Sequence, residues 1–172
     1  MRWIYNIFLC LFGFAVNFSL LEKLKLNDIK ADFFLVVIIC ICVLRDDFEG
    51  VLFGFVFGLM RDVFFGEKIG FYIFVYMLVG YLFCKPFKYF YRENFAVPMI
   101  LVFLATFFFD LFGFVFCHAI DFYKYFFYVV GKIIFPKAIY NVIMILFFYP
   151  VAYFFNKQLE KSENKFVIKN RF

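Results

Sequence analysis

The sequence predicts an all-α integral membrane protein, a bundle of about six transmembrane helices whose termini face the cytoplasm. Three observations carry that prediction. Hydrophobic residues make up 67% of the 172-residue chain, against roughly 45–50% in a soluble domain. The mean hydropathy is +0.92. The apolar residues also gather into long runs between short charged breaks, as helices crossing about 30 Å of hydrocarbon must. Charged residues, at 18%, are too few to cover a soluble globule, so soluble, disordered and secreted disulfide-scaffold classes are excluded.

The first span is Trp3 to Leu21. Arg2 ahead of it resembles the start of a signal peptide, but Phe18-Ser19-Leu20-Leu21-Glu22 offers no small-x-small cleavage site, so the span is expected to be retained. A polar loop, Glu22 to Asp32, follows. Phe33 to Phe65 is 33 residues, or about 50 Å of helix, too long for one crossing. The charged group Arg45-Asp46-Asp47-Phe48-Glu49 divides it into two spans joined by a tight turn. The first of these, Phe33 to Leu44, is short, and if it does not cross, the total is five. After a break at Gly66-Glu67-Lys68, a fourth span runs from Gly70 to Cys84 and ends at the basic loop Lys85 to Arg92. A fifth covers Ala96 to Cys117, and a sixth runs from about Ile133 to Phe155. Residues 1–155 thus form the transmembrane domain and 156–172 a charged cytoplasmic tail.

Six spans with termini inside place 10 basic residues inside and 8 outside. The orientation rests mainly on the Lys85–Arg92 loop and the tail, which agree under the positive-inside rule. The tail alternates Lys and Glu and reads as a solvated helix or disordered segment near anionic headgroups.

The reactive inventory is thin. The chain has two serines (Ser19, Ser162), one threonine (Thr106) and one histidine (His118). No nucleophile–base pair, His pair or Cys-x-x-Cys spacing results, so neither catalysis nor a metal or other cofactor is expected. The five cysteines, Cys10, Cys40, Cys42, Cys84 and Cys117, lie in or at the ends of apolar runs and read as small buried hydrophobes. A net charge of +5 is scattered through short loops and the tail, which fits a bilayer surface and not nucleic acid. The 35 phenylalanines are spread through every span without a helical period, a pattern of compositional drift and not of an aromatic ligand box.

The residues that do not suit lipid are the candidate sites. Gly54, Gly58, Asp62, Gly66 and Gly70 recur every four positions. On a helix Gly54, Gly58 and Asp62 form one slowly turning stripe, and Gly54-x-x-x-Gly58 is the spacing that admits another helix backbone. Simple close packing is the plainest account. Asp62, near a helix end, either sits hydrated at the interface or caps the break at Gly66; alternatively it anchors the hairpin of spans three and four or contacts a partner. Asp110 lies in an otherwise apolar run and needs a partner or an internal cavity. Arg61, Lys132 and Lys137 are its candidate partners, and an internal ion pair, proton or substrate handling, and a partner-facing role all remain open. In the last span, Pro136 fits a helix start, Asn141 is placed to hydrogen-bond across helices, and Pro150 should kink or end the helix. His118 and Asp121 read as solvated loop residues.

The stretch Gly54-Phe55-Val56-Phe57-Gly58-Leu59-Met60-Arg61-Asp62-Val63-Phe64-Phe65-Gly66-Glu67-Lys68-Ile69-Gly70, followed by Tyr76 and Gly80-Tyr81, resembles the MreD family of rod shape-determining proteins. Ala31-Asp32-Phe33, Leu44-Arg45 and the Pro136, Asn141, Pro150 spacing add to the likeness, which covers about residues 31–155. Ala31 stands where the family commonly has proline, and Phe replaces much of its Leu and Ala. The resemblance implies a multi-pass protein of the bacterial plasma membrane that scaffolds lateral peptidoglycan synthesis without catalysis. It implies MreC, a single-span coiled-coil protein, as partner, with the MreB filament and the SEDS polymerase and its transpeptidase as further members of the machinery. The runner-up is the substrate-binding component of an energy-coupling-factor vitamin transporter. That component needs a cavity of convergent polar groups, for which the spans offer chiefly Asp110, Asn141, Tyr76 and Tyr140. An intramembrane enzyme is the third reading.

Overall fold

In a bilayer every backbone N–H and C=O must be paired within the protein, which leaves helices as the form for long apolar runs. The computed structural model describes residues 30–45, 47–65, 70–84, 95–117 and 122–169, and these are all-helical. They form α1 (Phe33–Leu44), α2 (Asp47–Phe65), α3 (Phe71–Cys84), α4 (Ala96–Cys117), α5 (Phe122–Val129), a π-helical turn (Val130–Ile134) and α6 (Phe135–Lys169). The expected first span, the Lys85–Arg92 loop, Gly66, His118 and Asp121 lie outside the described residues.

The short helix is the centre of the bundle. All 12 residues of α1 are buried, and it contacts α2, α3, α4 and α6. Its Val and Ile residues favour strands in water, but with neighbours on every side the helix alone satisfies its backbone. Asp32 begins it as N-cap, accepting from the Leu35 N–H at 3.4 Å. Arg45, in extended conformation, ends it while donating its N–H to the Ile41 carbonyl at 2.8 Å.

The other helices bury one stripe each. On α2 the buried positions Gly50, Phe53, Gly54, Phe57, Gly58 and Asp62 follow helical spacing, with Leu52, Phe55, Leu59 and Val63 exposed. From the last residue of the π-turn through α6 the stripe is Ile134, Ala138, Asn141, Ile145, Tyr149, Ala152 and Asn156. Steps of three and four continue through it without a change of face. By length and composition, Ala96–Phe116 and Phe126–Gln158 are each able to cross a membrane, while α1 and α3 are shorter apolar helices.

One expectation for the last span needs correcting. Pro150 does not end the helix, since α6 runs on to Lys169; its exposed ring faces away from the buried stripe, and membrane helices tolerate such a residue where neighbours re-pair the freed groups. Pro136 is the second residue of α6, in the first turn as expected, where its missing N–H costs little; a π-helical turn, Val130–Ile134, leads into that start.

Candidate functional site: a polar junction of five helices

The closest packing in the bundle is between α2 and α3, and glycine makes it so. A Cβ on Gly54 would lie 2.6 Å from the Tyr76 carbonyl oxygen, and one on Gly58 would lie 2.8 Å from the Ile73 nitrogen. Gly80 of α3 meets the Gly50 carbonyl oxygen at 2.6 Å in the same way. The four-residue stripe is therefore turned inward onto α3, and it begins one step earlier than the sequence pattern indicated, at Gly50. Gly70 is not part of it. It opens α3 with φ +101°, a backbone conformation suited to glycine.

Asp62 closes the hairpin. Its carboxylate accepts from the N–H groups of Gly70 (2.9 Å), Tyr72 (3.1 Å) and Ile73 (3.1 Å). The first N–H groups of a helix lack intrahelical partners, and here a residue on the preceding helix supplies the cap. Only 2% of Asp62 is exposed.

Beside this hairpin lies the junction itself. The Asp32 carboxylate accepts from the Tyr76 hydroxyl (2.6 and 2.8 Å to its two oxygens) and from Arg61 Nη1, which also donates to the Tyr76 oxygen. The Asp32 backbone N–H donates to Asn141 Oδ1 at 2.7 Å, and Asn141 Nδ2 donates to Thr106 Oγ1 at 2.9 Å. The Thr106 hydroxyl in turn donates to the Val102 carbonyl at 2.7 Å. One connected network thus joins the start of α1 to α2, α3, α4 and α6. Asp32, Tyr76, Thr106 and Asn141 are all buried.

Aromatic rings complete it. The Arg61 guanidinium carbon lies 4.5 Å from the Tyr72 ring centroid and 5.6 Å from that of Phe109. Phe109 stacks on Tyr76 at 4.9 Å. Lys137 Nζ sits 2.5 Å from Asp110 Oδ1 and 5.5 Å from the same Phe109 ring. Two carboxylates and two cations therefore neutralise each other across four helices, with the rings adding cation–π attraction. Of Asp110's three candidate partners, Lys137 is the one in contact; Arg61 belongs to Asp32.

The opposite end of α1 has its own contacts. Asn156 Nδ2 donates to the Leu44 carbonyl at 3.3 Å, and Arg45 Nε donates to Asn156 Oδ1 at 3.2 Å. Arg45 Nη1 also pairs with Glu49 at 2.7 Å. Cys42 and Cys84 are joined by a disulfide between α1 and α3, which corrects the expectation that the cysteines are unpaired hydrophobes. Buried Cys40 is free and fits that expectation.

Of the predicted positions, Gly54, Gly58, Asp62 and Gly70 meet at the α2–α3 hairpin, and Asp110 and Asn141 meet at α4–α6. Pro136 lies in α6 one residue before Lys137. Asn156 is not among the sequence candidates, Asp32 enters only through the family likeness, and Arg61 only as a candidate partner of Asp110. Asp32 and Asn156 sit at the edges of apolar runs and read as loop and tail. The signal for Arg61 was its place inside a helix, one position before Asp62.

The chemistry of the site is thus one of internal pairing among helices. The family model described as rod shape-determining protein MreD matches residues 1–159. No curated protein and no solved structure matches the chain. With the glycine stripe, the capping aspartate and the Asp32–Asn141 junction all inside the matched stretch, the chain belongs to the MreD family of rod shape-determining membrane proteins.

Proposed function

We propose that this chain is a non-enzymatic scaffold of the bacterial cell-elongation machinery, holding wall-synthesis proteins together in the plasma membrane. It crosses six times with both termini in the cytoplasm, the Lys85–Arg92 loop and the tail supplying the inside charge. Its direct partner is an MreC-like single-span coiled-coil protein, and through it or beside it come the MreB filament and the SEDS polymerase with its transpeptidase. Family membership supports the rod-shape role.

The observation that carries the scaffold reading is the pairing of Asp32 with Arg61 and of Asp110 with Lys137. These charges bind one another and fix helix positions, which suits a rigid platform. The test is a tagged pull-down from native membranes in mild detergent, with partners identified by mass spectrometry. A single-span coiled-coil protein recovered with wall-synthesis enzymes is the expected result. Paired ABC-type ATPases with a membrane coupling subunit would make the chain a transporter component instead.

A further inference from the structure

We infer that Cys42 and Cys84 form a redox-operated clasp on the cytoplasmic side of the bundle, whose state sets the position of the α2 start. The inference rests on the termini-inside orientation proposed above. Cys84 is the last residue of α3 and is followed at once by the basic stretch from Lys85 to Arg92; Cys42 is three residues from Arg45. In that orientation the pair lies, buried, at the end of the bundle nearest the compartment whose thiol pools keep cysteines reduced. A bond made there is one that exchanges, whereas a permanent staple belongs at the other end.

The surroundings convert bond state into movement. Cys42 is 3% exposed and Cys84 0%. Gly50 of α2 packs on both sulfurs, and a Cβ there would lie 2.8 Å from Cys42 Sγ and closer still to Cys84 Sγ. Reduction replaces one joined pair of sulfurs with two separate thiols, and Gly50, at the start of α2, is the backbone that meets that change. Glu49, the next residue, pairs with Arg45, and Arg45 bonds Asn156 of α6. That change is thereby delivered to a polar cluster at the same end.

The exchange balances without any group beyond a dithiol donor of the thioredoxin class. A donor thiolate attacks one sulfur and forms a mixed disulfide, releasing the other cysteine as thiolate. The donor's second thiolate then displaces the first cysteine, leaving the donor oxidised. Each released cysteine takes up one proton, for two electrons and two protons in all. Oxidised glutathione drives the reverse. Because both sulfurs are buried, exchange requires the end of α3 to open and is slower than at an exposed disulfide.

The test uses the full chain in its native membrane. Cells treated with diamide or with dithiothreitol are quenched in acid, thiols are tagged with two maleimides of different mass, and the Cys42 and Cys84 peptides are read by mass spectrometry. A reporter fused to the tail reads sidedness in the same cells. The expected result is an inside tail, a dithiol in reductant and a disulfide in oxidant, with faster amide exchange over residues 47–53 in the reduced protein. The Cys42→Ser/Cys84→Ser variant should fold, match the reduced protein in that exchange and ignore oxidant. An inside tail with the pair in one state under both treatments overturns the clasp, as does a double variant that does not fold. An outside tail overturns the orientation, and the clasp with it.

Discussion

Arg61 reaches back across 29 residues of sequence to hold the carboxylate of Asp32 at the first turn of a wholly buried helix. Tyr76 bonds both partners, so removing Arg61 leaves a buried carboxylate with the Tyr76 hydroxyl as its side-chain donor, while removing Asp32 leaves a partly buried guanidinium among aromatic rings. Arg61→Met should lower stability by about 3–5 kcal/mol, the usual penalty for breaking a buried pair from one side. Arg61→Met combined with Asp32→Asn should lose less than the sum. A double-mutant cycle on thermal unfolding in detergent checks this, and strictly additive losses would mean the two residues do not act together.

Asp62 is predicted to stabilise α3 although it belongs to α2. Asp62→Ala removes the acceptor of three N–H groups and should lower stability by about 1–2 kcal/mol, the range for losing a good cap. Asp62→Asn keeps one oxygen and should lose less. Hydrogen exchange at Gly70, Tyr72 and Ile73 is the direct measurement, with all three amides expected to exchange faster in the alanine variant.

Glycines in this chain are not equivalent. Gly54→Leu and Gly58→Leu would each drive a side chain into the backbone of α3, and overpacking of this kind costs at least about 1–3 kcal/mol. Gly131, whose added Cβ would meet nothing within 4 Å, should accept alanine with little change. Yield of monodisperse protein and its melting temperature will separate the two groups; equal tolerance at Gly54 and Gly131 would contradict the close approach of α2 and α3.

At the α4–α6 contact, Lys137→Met should be more harmful than Lys137→Met together with Asp110→Leu. The single change strands a largely buried carboxylate, whereas the double removes both charges. The expected order of melting temperatures is wild type, then double variant, then single variant. Asn141→Leu should cost about 1 kcal/mol or more, since it leaves the Asp32 N–H and the Thr106 hydroxyl without their present partner.

Much of this was legible in the sequence because lipid makes polar residues conspicuous. The apolar runs gave Phe33 to Leu44 and Ala96 to Cys117 with the bounds the helices have. Asn141, in the middle of a run, was rightly placed as a bond between helices, and Gly54-x-x-x-Gly58 as a site of close approach. The rest was hidden for definite reasons. Asp32 stands at the end of a polar loop, where an acid is unremarkable until its neighbours in space are known. Arg61 reads as a candidate partner for Asp110, because in the sequence nothing marks Asp32, 29 residues away, as the nearer carboxylate. The disulfide joins residues 42 positions apart, and no spacing rule announces such a pair. Pro150 does not end α6, because the rule that it should describes isolated helices and α6 is held by neighbours along a stripe from Ala138 to Asn156.

That stripe places Asn141 on the Asp32 amide and Asn156 on the Leu44 carbonyl, so α6 secures both ends of α1. The two helices are far apart in order of synthesis. While the ribosome is still making the intervening segments, α1 has neither of these partners, and at 12 residues it is too short to settle in the bilayer by itself. Neither end of α1 therefore gains its α6 contact before the chain has been made through Asn141 and Asn156. A chain stopped before Asn156 would thus lack the contact that closes the Leu44 end of its central helix.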